Sequence, residues 1–370
     1  LEAMRPHLEG AFGNASSIHW YGQQARAAVE HAREQVAALL GARPGEIVFN
    51  SGGTEGDNTA IFGVCEAGDH IVTSAIEHAA VRNSCQAMEK RGVEVTYVGV
   101  DARSLVDPDD VKKAIRKNTK LISVMYANNE TGAIQPLAEI GKIARAAGVR
   151  FHSDAVQAAG KIAVDVEKLG CDFLAISGHK LHAPKGVGAM YVRKGAVVRP
   201  LISGGTHERG RRPGTENVPG IVGLGKACEV AKKAVEDGTM LRVAELRDRL
   251  EETLLGAIEE CGVNGEGAPR VPNTSNVFFD HIEGEPLLIA LDLKGVAVAT
   301  GAACSSGAIE PSHVLMALGM GPQRARGSIR WSLSKLTTAE DVEYALSVAP
   351  EAVARLREIS PTWRKAVVSR

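Results

Sequence analysis

No apolar run in this chain reaches the roughly 20 residues that a bilayer span requires, because charge, glycine or proline interrupts each one first. No charged-then-apolar segment opens the sequence, so neither a membrane anchor nor a secretory leader is expected. A basic surplus is missing as well: 43 Lys and Arg stand against 44 Asp and Glu. A field so evenly balanced does not hold a phosphate backbone, which excludes nucleic acid as the main partner. The six cysteines, Cys65, Cys85, Cys171, Cys228, Cys261 and Cys304, form no Cys-x-x-Cys pair and no small disulfide framework. A stapled secreted fold is thereby excluded, and a reducing, cytoplasmic compartment is expected. No set of His with Cys304 or the other cysteines has the spacing of a zinc site, so no resident metal is expected. The sequence starts at Leu1 inside a helical pattern running to Leu8, so a preceding segment is expected.

What the sequence does have is length and rhythm. With 370 residues, 44% of them hydrophobic, it exceeds what one compact core usually holds, and two packed subdomains are expected. Short β-rich runs at 46–50, 69–74, 93–100, 120–127, 150–154 and 172–177 alternate with helical patterns, and 186–193 reads as one more strand. This alternation predicts an α/β fold with a mainly parallel sheet between helices. The run Lys120-Leu-Ile-Ser-Val-Met-Tyr-Ala127 is almost continuously apolar, as suits a strand buried on both faces. After a Gly- and Arg-rich loop at 203–219 come long helices at 218–234 and 240–259, then a short mixed segment ending in a helix. A boundary near Val235 follows, giving a large domain 1–235 and a smaller α+β domain 236–370.

Three segments carry the chemistry. In Phe49-Asn-Ser-Gly-Gly-Thr-Glu-Gly-Asp-Asn58 a strand ends in glycines and a helix opens at Thr54, which makes either an ordinary capped turn or an anion cradle of unpaired amides. The Gly-Lys-Ser/Thr ending of a nucleotide-triphosphate loop is missing there. In Phe151-His-Ser-Asp-Ala-Val-Gln157 a carboxylate, Asp154, stands at the C-terminal end of a strand, where ligands of open α/β sheets collect. Alone, it is more often a helix cap than the partner of a cationic ring nitrogen. In Ser177-Gly-His-Lys-Leu-His-Ala-Pro-Lys-Gly-Val-Gly188 a strand end presents hydroxyl, imidazole and amine together. A lone lysine is usually a solvated charge, but an amine so placed can be desolvated and form a Schiff base.

In this order the three segments resemble the class V aminotransferase family of pyridoxal-phosphate enzymes, specifically its NifS/IscS-like cysteine desulfurases. The resemblance extends through Gly13-Asn-Ala-Ser-Ser-Ile-His19, Glu77-His78, Ala127-Asn-Asn-Glu-Thr-Gly132, Arg212-Pro-Gly-Thr-Glu-Asn217, Cys304-Ser-Ser-Gly307 and Ser328-Ile-Arg330. It implies fold type I, with a seven-stranded sheet in the large domain and the cysteine loop in the small one. Lys180 would bind pyridoxal 5'-phosphate covalently and then move protons, and Asp154 would keep the pyridine nitrogen protonated. His78 would stack on the ring and Gln157 would donate to its phenolic oxygen. Gly53, Thr54, Ser177 and His179 would take the phosphate, with Thr215 supplied by the second subunit of a homodimer. Asn129, which also faces the cofactor in the family, and Arg330 would hold the substrate amino acid, L-cysteine. Cys304 would accept its sulfur as a persulfide, leaving L-alanine, and pass it to an acceptor such as an iron-sulfur scaffold protein. Without that context a single cysteine is more often an inert buried hydrophobe.

The sequence departs from the family pattern in two small residues, Ala183 in place of the glycine before Pro-Lys-Gly and Gly56 in place of the serine after Thr-Glu. The family's opening Asp-Asn-Ala-Thr-Thr-like segment has no counterpart before Leu1. An aminotransferase or a selenocysteine or cystine lyase on the same fold is the alternative, and a noncatalytic sulfur-relay subunit is a third reading. The intact Lys180, Asp154 and His78 speak against the relay, and Cys304 against the aminotransferase.

Overall fold

The computed structural model describes residues 1–301 and 311–363. By packing, the chain divides into two units. The first comprises Leu1–Val98, Val106–Ala127 and Gln135–Asp237; the second comprises Gly99–Leu105, Asn128–Ile134 and the chain from Gly238 onward.

The first unit is built on seven strands, β1 (Ile47–Asn50), β2 (His70–Ser74), β3 (Glu94–Val98), β4 (Thr119–Ser123), β5 (Arg150–Asp154), β6 (Phe173–Ser177) and β7 (Gly188–Val192). Their order across the sheet is β1-β7-β6-β5-β4-β2-β3. Only β7 runs against the others: it pairs antiparallel with both β1 and β6. The remaining neighbours pair parallel, in keeping with the mainly parallel sheet expected from the alternation of runs. Helices α1 (Arg5–Glu9), α2 (Trp20–Leu40), α3 (Gly53–Val64), α4 (Ala79–Glu89), α5 (Pro108–Ala114), α6 (Leu137–Ala147), α7 (Val166–Leu169) and α8 (Val218–Glu236) accompany it. Strands β1, β2, β6 and β7 are buried along their whole length, as expected where helices cover both faces.

The run 150–154 coincides with β5, and the other strand runs read from sequence extend one to four residues beyond their strands. The run to Ala127 is a strand only to Ser123: the Val124 and Tyr126 amides still donate to His152 and Asp154 of β5, but by Asn128 the chain has turned back on itself and that amide donates to Ala133. The N-terminal helix is shorter than its pattern and starts at Arg5.

The second unit packs α9 (Thr239–Ala257), α10 (Gly284–Asp292), α11 (His313–Ala317), α12 (Pro322–Arg326) and α13 (Ala339–Ile359) with a three-stranded antiparallel sheet. That sheet has the order β10 (Ser328–Ser332), β9 (Thr274–Phe279), β8 (Cys261–Val263). Beyond α13, Trp363 lies over the Arg357 guanidinium at 4.5 Å and edge-on to His281, so the end of the described chain packs on its own unit. Among the described residues no helix is long and apolar enough to cross a membrane.

Candidate active site

Register brings the functional strand ends together. Asn50, the last residue of β1, and Ser177, the last of β6, both pair with Gly188 of β7, and Asp154 at the end of β5 pairs with Ala175 of β6. The C-terminal ends of three parallel strands therefore lie side by side along one sheet edge, the place where open α/β sheets bind ligands.

At the first of these ends the chain turns through Gly52, at φ 151° and ψ −179°, into α3. That backbone conformation is open only to glycine. A side chain at Gly53 would meet Val156 Cγ2 at 2.5 Å, so the glycines let the backbone amides of the first helical turn approach the ends of β5 and β6. Thr54 is exposed in that turn. The site of a Cβ on Gly52 lies 3.4 Å from Ser177 Oγ, and Ser177 Oγ is 2.8 Å from Nδ1 of His179. Burial, reinforced by Lys180, Lys185 and Lys161, lowers the His179 pKa, which favours the neutral ring. A bare glycine backbone, two hydroxyls and an imidazole at one helix mouth fit a phosphate group. The departure at Gly56 has a packing reason: a Cβ there would stand 2.9 Å from that of Ala175, so glycine lets α3 lie close on β6.

Asp154 is 5% exposed, and its Oδ1 accepts from the Val156 amide at 2.8 Å. Burial raises its pKa, while His78, Lys161 and Lys180 pull it back toward the ionised form. A buried carboxylate at a strand end, with positive charge nearby to favour its ionised form, fits a cationic ring nitrogen. His78 is half-buried and caps α4, accepting from the Ala80 amide at 3.1 Å. Gln157 Oε1 accepts from Lys161 Nζ at 3.2 Å. Lys180 is exposed on a short 3₁₀ turn, Gly178–Leu181, directly after β6.

Thr215 is exposed in the Arg-rich loop, and what holds that loop was not foreseen from sequence. Arg33 of α2 forks Glu208 with Nη1 and Nη2 at 2.8 and 2.7 Å, and Glu208 also accepts from the Phe49 amide of β1 at 3.0 Å. Arg212 reaches Glu55 of α3 at 2.9 Å. Burial alone would raise the Glu55 pKa, but Arg212 and the Ser51 contacts hold it below the ordinary carboxylate range.

In the second unit Arg330 on β10 donates from Nη1 to the Asn129 carbonyl at 2.8 Å, which joins the two residues expected to hold the substrate. The buried Oδ1 of Asn129 has no hydrogen-bond partner among the described residues. Next to it Glu130 is fully buried, accepts from Ser312 Oγ at 2.6 Å and has its carboxyl pushed up to about 7 by burial, against the Ser312 hydrogen bond and Arg330. Cys304 lies outside the described residues.

Fold and site together define a pyridoxal-phosphate enzyme of fold type I. The chain belongs to the class-V aminotransferase family, whose model, described as Aminotransferase class-V, matches residues 1–345, and within it to the cysteine desulfurases. It is 50% identical over 364 residues to a protein of Dictyoglomus turgidum named cysteine desulfurase IscS, covering 97% of this chain and 92% of that one. A protein of the same name from Methanosarcina thermophila is 50% identical over 369 residues, covering 99% and 91%. Among solved structures, one titled NIFS-like protein superposes with a TM-score of 0.89 at 37% identity, covering 96% of this chain and 95% of that one. Another, titled SspA in complex with cysteine, gives 0.79 at 35%, covering 91% and 95%.

Proposed function

We infer that this protein is a cysteine desulfurase that takes the sulfur of L-cysteine, releases L-alanine and hands the sulfur on as a persulfide of Cys304. The observation that carries the cofactor half of this reading is the convergence of the Gly52-Gly53 turn, Asp154 and the Ser177-His179-Lys180 segment at one sheet edge. Bound there, pyridoxal phosphate would supply an electron sink for the substrate's α-carbon. The chain's own residues supply the rest. Gly53, Thr54, Ser177 and His179 bind the phosphate, Asp154 keeps the ring nitrogen protonated, and His78 and Gln157 orient the ring. Lys180 holds the aldehyde and then carries protons to and from the α-carbon. Asn129 and Arg330 receive the amino acid, the guanidinium matching its carboxylate.

Cys304 separates this reaction from transamination. Its thiolate bonds to the substrate sulfur while the carbon–sulfur bond breaks, and the electron pair of that bond stays on carbon, where it is protonated to give alanine. The large domain, 1–235, works as the cofactor-binding part and 236–370 as the part bearing the cysteine loop. The functional form is a cytoplasmic homodimer in which Thr215 reaches the partner's phosphate, and the sulfur goes to an iron-sulfur scaffold protein. The deciding experiment reconstitutes the protein with pyridoxal phosphate, L-cysteine and an excess of a dithiol, which reduces the persulfide and frees its outer sulfur as sulfide, and quantifies alanine and sulfide. Alanine equimolar with released sulfide is expected; keto-acid-dependent amino transfer without sulfide would overturn the reading.

A further inference from the structure

Beneath the proposed cofactor position lies a buried polar group that no step of the reaction uses. Asp57, on the first turns of α3, is 1% exposed, and its Oδ1 stands 3.3 Å from Nε2 of His152, which is wholly buried. Nδ1 of the same imidazole is 2.8 Å from Oγ of Ser123, its register partner on β4. His152 and Asp154 are two residues apart on β5, so their side chains leave the same face of the sheet. The row Asp57–His152–Ser123 therefore lies on the same face of the sheet as Asp154, one side-chain step back along β5.

The groups facing Asp57 are Asp154 and His152 from β5 and Glu77 from the segment after β2. Glu77 accepts from the Ser74 hydroxyl and from the Met125 amide. An ionised Asp57 here would be a buried charge next to two further carboxyls and a neutral imidazole, an arrangement proteins avoid by protonation. Burial, then the neighbouring Asp154 and Glu77, raise the Asp57 carboxyl well above its ordinary range. Burial alone lowers His152 to about 3. A neutral acid facing a neutral imidazole admits two sets of protons: the Asp57 hydroxyl donates to Nε2 while Nδ1–H donates to Ser123 Oγ, or the Ser123 hydroxyl donates to Nδ1 while Nε2–H donates to the carbonyl oxygen of the acid, and only the first uses the Asp57 proton.

We propose that Asp57 is a positioning residue for Asp154: it keeps its proton, shares it in a hydrogen bond with Nε2 of His152, and so leaves Asp154 as the carboxylate of this group that ionises against the cofactor ring. The idea rests on the assignment of Asp154 made above. The substitution Asp57→Asn retains a donor for Nε2 and carries no charge, whereas Asp57→Leu keeps the branched shape at Cγ and loses the donor, so the two variants separate the roles.

The first measurement needs no cofactor. In 15N-histidine-labelled apoprotein, with His152→Gln to assign the signal, His152 is expected as the neutral Nδ1–H tautomer between pH 6 and 8 in the wild type and in Asp57→Asn, and as a tautomer mixture in Asp57→Leu. The second follows the visible absorption of protein loaded with pyridoxal phosphate against pH. Asp57→Asn should leave its midpoint where the wild type has it, because a neutral group replaces a neutral group. Asp57→Leu should lose roughly tenfold in cofactor affinity, the consequence of stranding a buried acceptor. A wild-type His152 found as imidazolium or as the Nε2–H tautomer, or a midpoint displaced by Asp57→Asn, overturns the proposal. Asp154→Asn is the separate control: if it moves neither midpoint nor affinity, the assignment of Asp154 fails, whereas a displacement there beside an unchanged Asp57→Leu fails the positioning role alone.

Discussion

Four of the six cysteines, Cys65, Cys85, Cys171 and Cys228, are buried, and a fifth, Cys261, is half-buried. Burial pushes the Cys65 thiol up to about 12 and raises Cys85, Cys171 and Cys261 as well, so these groups carry almost no thiolate near neutrality. Brief alkylation of the native protein at neutral pH, read by peptide mass spectrometry, should therefore modify Cys304 at least ~10-fold faster than any of these five. Comparable labelling of Cys85 or Cys171 would contradict it. Cys304→Ala should still bind the cofactor and L-cysteine, since those steps belong to Lys180, Asp154 and Arg330, while sulfide release stops. Lys180→Ala should lose both turnover and covalent cofactor attachment. Asp154 and Lys180 could be picked out from sequence because a strand end marks where a polar residue faces ligand. Asp57 and His152 could not, since an acid in the first turns of a helix also reads as a partner of the helix dipole. Only the packing of α3 on β5 shows that both are sealed from water.

At the level of elements, the Arg-rich loop is tied down by a buried ion pair rather than by its own turns. Glu208 sits at φ 48° and Arg209 at φ 59°, left-handed conformations uncommon for such residues, and the fork from Arg33 with the Phe49 amide keeps that stretch in place. Removing one partner of a buried pair strands the other, so Glu208→Ala should cost about 3–5 kcal/mol in a urea titration. It should also weaken whatever Thr215 contributes, because the same loop carries both. A loss below about 1 kcal/mol, the range of an exposed pair, would mean that the clamp is solvated in solution. In the sequence Glu208 is one acid among arginines, and nothing local distinguishes a clamp from a surface charge; its partner lies 175 positions away. The antiparallel run of β7, by contrast, was within reach of spacing. Only residues 178–187 separate it from β6, too few for the crossover that a parallel return requires.

For the molecule as a whole, two consequences can be measured. Thr215 is exposed in the isolated chain, so if it completes the phosphate site of a partner, sedimentation should find a dimer and Thr215→Ala should weaken cofactor binding without dissociating it. A fully active monomer would refute the shared site. The second consequence is the pH dependence of stability, set by buried groups whose folded pKa values leave their ordinary ones in opposite directions. Glu77 is raised to about 8 and Glu130 to about 7, in both cases first by burial. The folded state binds these protons more tightly than the unfolded state does, so their contribution is complete below about pH 4.5 and is lost as pH rises through 7 and 8. His152 is lowered to about 3 from 6.5, so its contribution is present above 6.5 and is lost as pH falls toward 3. Between about pH 6.5 and 8.5 the histidine no longer changes and only the carboxyls act, so the apoprotein should lose stability across that window. The Glu77 share is about 2 kcal/mol, from some one and a half pKa units of proton release on unfolding. Glu77→Gln should remove that share of the slope and Glu130→Gln a smaller one, and each variant should gain on the wild type as pH rises through the window. Denaturant midpoints measured at half-unit steps of pH decide the matter: parallel curves for wild type and Glu77→Gln would show that Glu77 ionises freely in the folded protein and that its burial is relieved by water.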